Sequence, residues 1–147
     1  MDFFWWLLAN IFLPILLPFA MLAPWKLVAG HSKVDEMTRS NTSWSAAVKD
    51  GQFCLTAIAI SAASLYECLG LASPRPDWLP VVMVVQGFFC ATSLVVYTFA
   101  MAFQVEVDAS KKTLREWIAH YKFGALSLFI CFWVGALSII GHWAASP

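Results

Sequence analysis

Charge is scarce in this sequence. Only 12% of its 147 residues are Asp, Glu, Lys or Arg, and the formal net charge is zero. Soluble domains carry about 25% charged residues. So few charges cannot cover a water-facing surface, whereas a bilayer accepts apolar side chains on the outside. The balanced charge also removes the electrostatic pull behind nucleic-acid binding, so no such partner is expected. Patterns that carry chemistry are missing as well. The chain has no C-x-x-C pair, Walker A loop, H-E-x-x-H, G-x-S-x-G or dinucleotide fingerprint. Metal, thiol-redox, phosphate and hydrolase chemistry therefore lack a sequence signal. His31, His120 and His142 are not spaced as metal ligands. Cys54, Cys68, Cys90 and Cys131 all lie in apolar stretches and read as small buried side chains rather than thiol chemistry. Neither an enzymatic activity nor a cofactor is expected.

Apolar residues are abundant: 61% of the chain, against roughly 45–50% in ordinary domains. A helix crosses the hydrocarbon core with about 20 apolar residues. Four stretches qualify: Phe3–Ala29, Gly51–Ala72, Leu79–Phe103 and Trp117–Trp143. The expected fold is an all-α integral membrane domain, a single four-helix bundle over residues 1–147. The first stretch lacks a basic n-region and is longer than an h-region, so it reads as a span rather than a signal peptide.

Eight of the nine basic residues fall on one side: six in loops 31–50 and 104–116, and Lys26 and Lys122 in the adjoining ends of spans one and four. Short loops rich in Lys and Arg stay cytoplasmic. That places loops 31–50 and 104–116 in the cytoplasm and both termini outside. A bacterial inner membrane is the expected location. Trp5, Trp6, Trp78 and Trp143 fall at the outer ends of spans, with Trp25, Trp44 and Trp117 at the inner ends. They read as interfacial anchors.

The two halves resemble each other. Val34, Asp35, Trp44, Ala46, Lys49, Gly51 and Leu55 match Val107, Asp108, Trp117, Ala119, Lys122, Gly124 and Leu128 at one offset. The match predicts two tandem helical hairpins, 1–73 and 74–147, as parallel repeats. Asp35 and Asp108 are N-cap candidates. No Pro or Gly separates Asp108 from Gly124, which predicts one continuous helix running into span four. Lys49 and Lys122, near the inner boundary, are expected to reach lipid headgroups.

Polar groups at depth are few: Asn10, Glu67 and Gln86, with His142 near the outer boundary. An intramembrane ionisable residue is a functional hypothesis by default. Glu67 is expected to pair with Arg75, to reach headgroups, or to meet His142 at the outer mouth. Small residues recur at helical spacing: Ala57 with Ser61, Ala59 with Ala63, Gly87 with Ala91, and Ser127, Cys131 and Gly135. Such faces let membrane helices approach closely, within one chain or between chains. Pro14, Pro18 and Pro24 in span one imply a bent helix. The features fit a subunit of a homo-oligomeric channel-like or transport assembly, with Asn10, Glu67, Gln86 and His142 as lining candidates. The alternative is a non-catalytic adaptor, accessory subunit or immunity protein that docks on a membrane-protein partner, and a third reading is an intramembrane enzyme.

Overall fold

The computed structural model describes residues 2–20, 46–70, 76–103, 105 and 113–145. Pro24, Trp25, Asp35, Trp44, Arg75 and Asp108, each given a role above, lie outside the described residues. Every described element is a helix. In chain order they are α1 (Phe3–Ala20), α2 (Ala46–Lys49), α3 (Phe53–Leu69), α4 (Leu79–Ala102), α5 (Leu114–His120) and α6 (Lys122–Ala145). Three of them, α1, α4 and α6, are long and apolar enough to cross a membrane, and α3 is a shorter apolar helix of 17 residues. The chain is a small polytopic membrane protein.

The centre of the bundle is the α3–α6 pair, with α4 packed on both and α1 against α3. Spacing explains the pair. Cys54, Ala57, Ser61, Ser64 and Cys68 are buried on α3, and Gly124, Ser127, Cys131, Val134, Ser138 and Gly141 are buried on α6. Both series alternate steps of three and four residues, which holds one stripe of each helix toward the other. Small side chains along the stripes permit close approach without a hydrophobic driving force. A Cβ on Gly141 would lie 3.3 Å from Cys68 Sγ. The core is completed by Trp6 and Ile11 from α1 and Val96 from α4.

The two glycines matched at the repeat offset lie close together where α2 meets α6. Gly51, between α2 and α3, has φ +67, a left-handed conformation that suits glycine. A Cβ on Gly124 would sit 2.5 Å from the Val48 carbonyl oxygen. The backbone of the 48–51 segment thus crosses directly over the first turn of α6.

The helix expected to run unbroken from Asp108 is instead interrupted. α5 begins after Thr113, whose hydroxyl accepts from the Glu116 N–H while Glu116 returns a bond to the Thr113 N–H. This capping box satisfies two terminal donors. α5 ends at Tyr121 (φ −102, ψ 56), a buried residue, and α6 starts anew at Lys122.

In α1 the backbone departs from regular α geometry. Residues Leu8–Phe12 form a π-helical turn just before Pro14. Pro18 has no N–H for the Pro14 carbonyl. The Thr56 hydroxyl of α3 donates to that carbonyl at 3.2 Å. A proline defect in one helix is thereby satisfied by a neighbour, as the absence of water in a bilayer requires.

Candidate functional site

Three helices converge on one carboxylate. Glu67 is in the last turn of α3, His142 in the last turn of α6 and Trp6 in the first turns of α1. His142 Nδ1 lies 2.5 Å from Glu67 Oε1, and the Trp6 indole N–H donates to Glu67 Oε2 at 3.2 Å. The Trp6 ring stacks on the His142 imidazole, with centroids 3.9 Å apart and planes 16° apart. Phe3 stacks on both rings. With its proton on Nδ1, the imidazole donates to the carboxylate, and the indole fills the second oxygen. The Glu67 side chain keeps 30% of its exposure and the His142 side chain 11%. The Glu67–His142 pair lies at one end of the bundle, partly exposed on one side and walled by aromatic rings on the other.

Gln86 is at the α4–α6 contact, where its partner Ser138 is one turn before His142 on α6. Gln86 is buried, and its amide N–H donates to Ser138 Oγ at 2.8 Å, while Ser138 donates onward to the Val134 carbonyl. Gln86 Oε1 and Ser61 Oγ are buried among the described residues without a hydrogen-bond partner. An orphaned buried acceptor costs about 1–3 kcal/mol and a typical bond contributes about 1 kcal/mol. Replacing Gln86 by leucine is therefore expected to leave the unfolding midpoint unchanged or slightly higher in a detergent titration. A clear drop would show that Oε1 has a partner, such as an internal water.

The remaining sequence candidates are scattered. Asn10 is half-buried and its amide donates to the Trp6 carbonyl of its own helix. Lys49 is buried, ion-paired with Asp50 at 2.8 Å, and also donates to the Val105 carbonyl. Its amine bonds within the protein, on the 48–51 segment that crosses over α6. Lys122 is exposed. The small-residue faces divide. Ala57, Ser61, Cys131 and Gly135 are buried within the bundle, whereas Ala59, Ala63 and Ala91 face outward. Gly87, one turn before Ala91, has nothing within 4 Å of the position of an added Cβ.

Trp6 is the residue that sequence reasoning misplaced. Read as an interfacial anchor, it is buried and serves as donor and platform to the Glu67–His142 pair. Two adjacent tryptophans, Trp5 and Trp6, point in different directions from one helix, and only the exposed Trp5 retains an anchor's position. Thr56 was also missed. Compared with family models, curated proteins and solved structures, the chain matches none.

Proposed function

We propose that the chain is a non-catalytic subunit of a homo-oligomeric membrane assembly. In this reading α3 crosses as a fourth span, and the outward face of α4 around Gly87 and Ala91 is the contact between copies. Seventeen residues give about 25 Å of helix against a hydrocarbon core of about 30 Å. That length leaves Glu67 near one boundary and the Lys49 end near the other. The basic residues put the Lys49 end in the cytoplasm.

The single observation that supports the reading is Gly87. A helical glycine permits backbone-to-backbone approach, yet no neighbour within the described chain uses the approach here. A face of this kind is self-complementary across a two-fold axis, the commonest symmetry of homo-oligomers. The described core is filled by packed side chains, so a solute path, if the assembly has one, runs between chains.

The test is the mass of the protein expressed alone in nanodiscs. A defined oligomer is expected. Gly87→Leu should convert it to monomer without loss of helix content, since the position of its Cβ has no described neighbour within 4 Å. A wild-type monomer, or an oligomer indifferent to Gly87→Leu, would sink this assignment; the monomer would point to a different membrane protein as partner.

A further inference from the structure

A groove of about 560 Å³ runs between α1 and α4 over the outward side of α3. That volume falls within the range of small-molecule sites, roughly 300–1,000 Å³. Its sides include Leu17 of α1 and Tyr97 and Met101 of α4, and Ala59 lies on its floor. Polar groups gather at one end, where Asp50 and Gln52 form the foot just before α3 begins. From there the floor climbs along α3 to Ala59, about two helical turns on. The groove is thus amphipathic along its length, with a polar foot and an apolar shaft.

We propose that this groove holds one molecule of membrane lipid. Its head, bearing amine or hydroxyl donors, rests on Asp50 and Gln52 between Leu17 and Met101, and its hydrocarbon chain runs from there along Leu55 to Ala59. Two features select this occupant. The groove lies between two helices long and apolar enough to cross a membrane, so the medium that meets its opening is the bilayer. Among the described residues its one acidic lining group is Asp50, whose two oxygens are both engaged by the buried Lys49 amine outside the lining. A head that offers N–H or O–H donors complements the lone pairs left on the Asp50 and Gln52 oxygens, whereas a head with net negative charge meets no cation among the described lining residues. Gln52 adds an amide whose side chain makes no capping bond to α3.

The full chain would be reconstituted in nanodiscs of equal parts phosphatidylethanolamine and phosphatidylglycerol, then extracted in mild detergent for native mass spectrometry. One phosphatidylethanolamine per chain is the expected adduct, retained several-fold over phosphatidylglycerol. Ala59→Phe, at an exposed floor position, should remove the adduct while helix content and assembly mass stay as in the wild type. Met101→Trp fills the groove at its foot, where the adjoining Ala100 lies beside Gly51, and should do the same if Ala59→Phe fails to fold. Asp50→Asn should keep the adduct and abolish the preference between the two lipids. Absence of an adduct, an adduct unchanged in both filled variants, or a preference for phosphatidylglycerol would overturn the assignment. A fall in assembly mass with lipid content unchanged would overturn it too, and would seat a helix of a second copy in the groove.

Discussion

Gly124→Ala is expected to lower stability by about 1–3 kcal/mol, the usual range for overpacking in a tight core. One added carbon would lie 2.5 Å from the Val48 carbonyl oxygen and 3.2 Å from Lys49 Cα. Those neighbours are backbone, so relief requires the 48–51 segment to move. That movement would strain the Lys49–Asp50 pair and the bond from Lys49 to the Val105 carbonyl. The same change at Gly87 provides the control. It meets nothing within 4 Å, and alanine is favoured over glycine inside a helix by about 0.5–1 kcal/mol. The two variants should therefore shift the unfolding midpoint in opposite directions when each is measured as a dissociated monomer. Equal shifts would mean that the backbone crossing at Gly124 is absent in the protein.

Trp6→Ala is expected to have the second large effect, about 3–5 kcal/mol, the range for truncating a buried tryptophan. Of the residues of α1, only Trp6 and Ile11 are buried. The helix consequently has few buried side chains, with Leu7, Ile15 and Phe19 only partly buried against the core. The substitution removes packing, the stack on His142 and the donor to Glu67 together. Trp6→Phe separates these contributions, keeping most of the ring and losing the N–H. It should cost about 1.5–3 kcal/mol, the range for a hydrogen bond to a charged acceptor. In a Glu67→Gln background that cost should shrink, and the difference is the coupling energy of the pair. A Trp6→Ala variant within about 0.5 kcal/mol of wild type, the range of an ordinary surface change, would show that α1 is held elsewhere.

The helices themselves were legible. Long apolar runs with few charges leave little choice of element, and the expected start at Leu79 coincides with the observed one. Their interruptions were harder to see. The break at Tyr121 has no Pro or Gly to announce it, because it follows from a backbone crossing between residues more than seventy positions apart. The start of α5 was readable in principle, since Thr113-Leu-Arg-Glu116 is a capping-box pattern. At the rim, the residue types Glu67 and His142 invited pairing. Which Trp would close the cluster depended on the rotation of α1, and hydropathy carries no information about rotation when nearly every residue of the helix is apolar. The division of small-residue faces into inner and outer was equally hidden, because packing between helices and packing between chains use the same alphabet.

The bond from Thr56 to the Pro14 carbonyl also bears on the order of assembly. α1 leaves the ribosome before α3, so for a time it lies in lipid with an acceptor that its own Pro18 has left bare. In hydrocarbon such a vacancy costs several kcal/mol. The first helix is therefore incomplete until the second arrives. Because the vacancy sits at one depth, it also acts as a positional mark. A slip of α3 by a single turn would carry the hydroxyl about 5.4 Å past its acceptor. A weakly buried helix thus takes its register from a defect rather than from the breadth of its contact.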